Sequence, residues 1–182
     1  MPRATSMLKS PAIQYLGLFL LITVALFSVL ATPWAERLFV APFTRSLVHV
    51  CALLIDLVDD RVIADGAILR FDDGKGAVQV LAGCNAVEVC ALLTAAIIAF
   101  PGKLRYGLIG AAAGIVALQT INLLRIISLY LSRGSQEVFE FFHHYVWDAM
   151  IGLEGLLIFF FWTRWQVRRE ASDRTAATPV AA

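Results

Sequence analysis

Four apolar runs divide this chain, at about 12–31, 86–100, 106–131 and 144–165, each near the ~20 residues that an α-helix needs to cross the hydrocarbon core of a bilayer. Inside that core the backbone has no water to bond, so such runs must be helical. Composition agrees: of 182 residues, 59% are hydrophobic and 16% charged, against roughly 25% charged in soluble domains. The mean hydropathy is +0.76. The chain reads as an integral membrane protein with one domain over 1–170. No basic tract or aromatic-interleaved patch suggests nucleic acid.

The first run follows Met1–Ser10 and superficially resembles a signal peptide. Its apolar stretch from Pro11 to Thr32 is longer than the usual ~7–15-residue signal core, and it lacks a clear small-x-small cleavage site, so it reads as an uncleaved first span. Pro101-Gly102 closes the second run. Arg3 and Lys9 precede the first run, Lys103 and Arg105 separate the second from the third, and Arg164, Arg168 and Arg169 follow the fourth. The positive-inside tendency puts all three clusters in the cytoplasm. The expectation is a multi-pass protein of the cell inner (plasma) membrane with cytoplasmic N- and C-termini.

That topology closes only if 33–60 makes no net crossing. Glu36, Arg37, Arg45, His49 and Asp56 would be costly in a lipid-facing span, so 33–60 is expected to be an interfacial or re-entrant helical segment. Over 61–82, Val62-Ile63, Ala67–Phe71 and Ala77–Leu81 are divided by Asp65-Gly66 and by Asp72–Gly76, which predicts a small extracytoplasmic β-hairpin. Residues 171–182 read as a disordered cytoplasmic tail. The fold class expected is an all-α polytopic membrane protein of about four transmembrane helices, with the interfacial or re-entrant segment and the hairpin.

On this topology a thiol, a guanidinium and an imidazole arrive at one membrane face. Cys84 lies at a strand-to-helix junction after Gly83, where unsatisfied backbone N–H groups and the helix dipole favour a nucleophilic thiolate. A buried packing role is its competing reading, and it suits Cys51 and Cys90 better. Glu88, one turn on, could orient a partner or cap the helix. Arg125 lies within the third apolar run with Asn122 one turn earlier on its face. An intramembrane arginine needs an anion or a polar cavity, unless it snorkels to the interface. His143 and His144 precede the last span. Either could be a general base or part of an aromatic interfacial belt with Tyr145 and Trp147. Adjacent helical residues point about 100° apart, so both cannot face one thiol. Neither a metal site nor a cofactor is expected; Asp148, four residues after His144, makes only a weak case. Glu154 in Gly152–Gly155 is unusual within an apolar run.

A Cys opening a helix in Gly83-Cys84-Asn85, Asn-x-x-Arg at Asn122–Arg125 and a His before the final span, in this order, resemble the exosortase/archaeosortase family of membrane cysteine transpeptidases. The short length and the His143-x-Tyr145-Val146-Trp147 segment look most like the compact exosortase H branch. The resemblance implies Cys84 as nucleophile, Arg125 as electrostatic stabiliser and His143 as base, with His144 the alternative and Asn85, Glu88 and Asn122 as possible supports. It also implies substrate proteins with a C-terminal sorting motif, a transmembrane helix and a basic cluster, cleaved at the motif through a thioacyl intermediate and passed to water or to a cell-surface acceptor. The sequence departs from the commoner family pattern after the cysteine, having Asn85-Ala86 in place of Ser-Gly. Two other functions fit the residues: a non-enzymatic membrane scaffold or assembly subunit in which Arg125 pairs with a partner's carboxylate, and a small transporter using Glu88 or Glu154.

Overall fold

A computed structural model describes residues 10–59, 61–72, 77–132 and 135–177; the side chains of 136, 138, 139, 142–144, 148, 174, 176 and 177 lie outside that description. Helix α1, Pro11–Leu30, starts at a proline whose missing N–H costs nothing there. It buries none of its own residues. Thr32 joins it to the next helix: its hydroxyl donates to the Val29 carbonyl (2.7 Å) and accepts from the Ala35 N–H (3.1 Å).

Helix α2, Pro33–Asp56, covers the segment expected to be interfacial or re-entrant; it is 24 residues long and, by length and composition, apolar enough to cross a membrane. Its second segment, Glu36–Val40, is π-helical just ahead of Pro42. Proline lacks the donor and crowds the preceding turn, so the wider register accommodates it there. Contacts between α1 and α2 are sparse; α2 packs instead on the sheet and on the far end of α4. Glu36, Arg37, Arg45, His49 and Asp56 are all exposed, on the faces of α2 turned away from the sheet and α4.

The sheet has three short antiparallel strands in the order β1 (Val62–Asp65), β2 (Ile68–Phe71), β3 (Ala77–Gln79), where a hairpin was expected. Asp65 pairs with Ile68 across the turn, and Ile68 pairs with Gln79. Leu69 is fully buried in a cluster with Leu47, Val48, Cys51 and Ile55 of α2, Val80, and Ile126 and Tyr130. The Phe71 ring meets Tyr130 with centroids 4.8 Å apart.

Helix α3, Val87–Ala99, has 13 residues, only about 20 Å at 1.5 Å per residue, and is shorter than the four helices with bilayer-spanning length. Helix α4, Leu104–Leu131, has 28 residues, about 42 Å, longer than the ~30 Å hydrocarbon core. After α5, Gln136–Phe141, a π-helical turn, Phe142–Trp147, leads into α6, Asp148–Ala177. Thus, among the described residues, four helices, α1, α2, α4 and α6, have the length and apolarity of spans, and α3 is a shorter apolar helix.

The second core lies between α3, α4 and α6, where Leu93, Ile97, Ala111, Leu118 and Trp162 are buried together. Glycine makes this approach possible: a Cβ at Gly110 would sit 1.9 Å from Trp162 Nε1. That indole N–H donates to the Tyr106 carbonyl (3.2 Å). At this end of the bundle the Lys103 N–H donates to Glu170 (2.9 Å), and Lys103 Nζ and the Tyr106 hydroxyl both bond Asp173. These ties correct the expected disorder from 171: the helix continues to Ala177 because the α3–α4 loop holds its last turns. Residues 178–182 lie outside the described residues.

Gly110→Ala should lower the thermal midpoint of the detergent-solubilised protein by about 3–8 °C, the range expected for overpacking a closed helix contact. Gly17→Ala, where an added Cβ meets nothing within 4 Å, should cause no loss. Circular dichroism melts of the two variants check the contrast.

Candidate active site

Between β3 and α3 the chain makes a turn through 81–86 that carries Cys84. Its Cys84 N–H donates to the Leu81 carbonyl (3.0 Å), so the thiol stands on a closed turn ahead of the helix. This corrects the expectation that Cys84 opens the helix itself. Gly83 has φ +86°, free of cost for a residue without Cβ, but Ala86 has φ +57°. An L-residue pays about 1–2 kcal/mol in that left-handed conformation. It persists where the surroundings over-determine it.

Those surroundings are three hydrogen bonds on Asn85, which is 1% exposed. Its Nδ2 donates to Thr44 Oγ1 of α2 (3.0 Å), its Oδ1 accepts from the Val87 N–H (3.1 Å), and its carbonyl accepts from Gln119 Nε2 of α4 (3.0 Å). Asn85 therefore satisfies the first N–H of α3 from one residue ahead of its N-cap, Ala86, and ties the turn to two other helices. Thr44 in turn donates to the Val40 carbonyl (2.8 Å) at the end of the π-helical segment. Glu88 does not supply the cap: its Oε2 is buried without a hydrogen-bond partner among the described residues. Cys84 is half-buried, against the cluster that includes Leu123, Ile126, Ile127 and Tyr130 of α4. Cys51 and Cys90 are buried, and all three thiols are free.

Arg125 projects from the same stretch of α4 and is 4% exposed. With Asn122, Leu118 and Ile121 it lines a cavity of about 10 Å³ closed on the other side by Trp147, Ile151 and Glu154. Asn122 is 3% exposed, so the two polar residues, one turn apart, share a buried face. The π-helical turn Phe142–Trp147 packs against α4 and runs directly into α6. The backbone of His143 and His144 is thereby brought to the α4 end that holds Arg125, while their side chains lie outside the described residues.

The elements bearing the thiol, the guanidinium and the imidazoles thus converge at one end of the bundle, opposite Lys103 and the Arg168–Asp173 turn. Sequence reasoning missed Thr44 and Gln119, which hold the turn, and Trp147 as a cavity wall. Gln119 had a readable signal: Gln119, Asn122 and Arg125 are polar residues at three-residue spacing in an apolar helix, a single stripe. Thr44 had none, since its partner lies 41 residues away.

No curated protein and no solved structure matches the chain. The model of the transmembrane exosortases does match, over residues 12–163, and the chain belongs to that family of membrane cysteine peptidases and transpeptidases.

Proposed function

We propose that this chain cleaves the C-terminal sorting signal of secreted, membrane-tethered proteins and transfers the cleaved chain to an acceptor at the cell surface. The observation that carries this reading is the convergence of the Cys84 turn, the Arg125 cavity and the histidine-bearing turn at one end of the bundle. Lys103 and Arg105 lie at the other end, so the positive-inside tendency makes the cysteine end extracytoplasmic. A substrate whose own basic cluster stays in the cytoplasm presents the residues ahead of its transmembrane helix at that depth.

The thiolate of Cys84 attacks the scissile carbonyl, forming a C–S bond and a tetrahedral oxyanion. Arg125 stabilises that developing charge in a site of low dielectric. Collapse breaks the C–N bond; His143, or His144 in its stead, delivers a proton to the departing amine. An acceptor amine or water then attacks the thioester and regenerates the Cys84 thiolate. Asn85 keeps the nucleophile's turn in register through these steps, and Asn122 lines the guanidinium's cavity. The His143-x-Tyr145-Val146-Trp147 segment supports assignment to the compact exosortase H branch.

Cys84→Ala should abolish processing of a co-expressed reporter that ends in a sorting motif, an apolar span and an arginine cluster, whereas Cys51→Ala and Cys90→Ala should process it. Undiminished cleavage by the Cys84 variant, read by immunoblot, would support a scaffold in place of an enzyme. Arg125→Ala should slow processing by about 10²–10³-fold, the usual loss when one oxyanion stabiliser is removed. His143→Ala should do the same and His144→Ala should not; the reverse result reassigns the base.

A further inference from the structure

A second cavity, of about 460 Å³, lies between the end of α1, the start of α2, α3 and the middle of α4, and none of the steps above uses it. On α3 it is lined by Val87, Ala91 and Thr94, one helix face at i, i+4, i+7 spacing. On α2 its wall is aromatic: Trp34, Phe39 and Phe43, the last two with stacked rings 6.1 Å apart. Trp34 and Phe39, with Val29 of α1 and Ile115 of α4, are exposed large apolar side chains. The cavity is therefore a groove that opens sideways from the bundle, where a bilayer would lie.

Shape and position both favour a helix as its occupant. An apolar cavity of about 150 Å³ stays dry and takes one benzene ring, so about three times that volume takes the side chains of one helix face. A helix held in a groove anchors through i, i+3 or i+4, and i+7, a rise of about 10 Å, which matches the stretch from Val87 to Thr94. The groove is also continuous with the nucleophile's turn. Val87 donates to Asn85 Oδ1 (3.1 Å), and Gln119, another lining residue, donates to the Asn85 carbonyl (3.0 Å). Gln119 Oε1 has no hydrogen-bond partner among the described residues. The first turn of a helix carries N–H groups without internal partners, and a lipid acyl chain brings none.

We infer that this groove receives the first two turns of the substrate's transmembrane helix, which enters from the bilayer and runs beside α3. The identity of the occupant rests on the transpeptidase reading. A scissile carbonyl held at Cys84 is followed by an apolar span, and the groove starts three residues from that cysteine.

The photo-crosslinking residue p-benzoylphenylalanine tests this when placed at Ala91 or Ile115 in the full-length Cys84→Ala chain, co-expressed with the tail-bearing reporter. Leu21, exposed on α1 and outside the groove, is the control position. Irradiation should join positions 91 and 115, and not 21, to the first two turns of the reporter's span, as mapped by mass spectrometry. Crosslinks to lipid only, or to a second copy of this chain, would overturn the docking site. In the parent background Ala91→Trp, which fills the groove, should slow processing about tenfold or more with a thermal midpoint within about 3 °C of the parent's. Alanines in the first two turns of the reporter's span should restore most of that loss; undiminished processing by Ala91→Trp would overturn the proposal. Processing by the parent chain without the crosslinks would overturn the docking site and leave the transpeptidase reading intact. Crosslinks without processing by the parent chain would leave the docking site standing and sink the transpeptidase reading, and the absence of both would sink both.

Discussion

The costliest constraint in this molecule is the polar stripe Gln119, Asn122 and Arg125 on α4, because a helix that crosses a membrane must satisfy such groups within the protein. Gln119 meets the constraint on one side by donating to the Asn85 carbonyl, and also reaches Cys90 Sγ at 3.5 Å. Asn122 and Arg125 turn to the other side, into the cavity shared with α6. One helix thereby positions both the cysteine's turn and the face of the last span. The length of α4 matters here: a helix of about 20 residues would end before it could also present Ile126 and Tyr130 to the sheet.

The opposite end of the bundle is closed by different physics. Gly110 and Gly114 let α4 approach Trp162 and Leu93 closely, the small-residue packing that membrane helices use in place of a hydrophobic driving force. Polar ties from Lys103 and Tyr106 to Glu170 and Asp173 then fix where α6 ends. Rigid closure at this end leaves the polar end free to be organised around its buried side chains. The sheet contributes by the same division, since Leu69 and Phe71 fill the space between α2 and the last turns of α4.

Legibility in the sequence followed the range of each interaction. The apolar runs, the Pro101-Gly102 stop and the three strand-like stretches are local signals, and all their elements but the last helix, which runs over Asp148–Ala177 where 144–165 was expected, lie within two residues of the expected positions. The packing of α2 was not local: nothing in 33–56 announces that it packs on the sheet and the last turns of α4 rather than on α1. The helical end at Ala177 was also invisible, because a loop about 70 residues earlier holds it. At the site, Cys84 and Arg125 announced themselves as polar types at the margins of apolar runs. The bond from the Val87 N–H to Asn85 did not, since it depends on a left-handed residue at 86 that no pattern of hydrophobicity encodes.

That left-handed residue gives a physical account of the departure at 85–86. The commoner family pattern follows the cysteine with Ser-Gly, a capping side chain and a residue that adopts positive φ without cost. Here Asn85, one residue ahead of the N-cap, accepts from the first helical N–H, and Ala86 at the N-cap is left-handed, so this turn is made with a strained residue. Asn85 offsets the strain by anchoring the turn: its amide accepts from the Val87 N–H and donates to Thr44 of α2, and its backbone carbonyl accepts from Gln119 of α4. The substitution of both residues together is therefore coherent: added anchoring at 85 compensates for lost freedom at 86, and the turn carrying Cys84 stays in place.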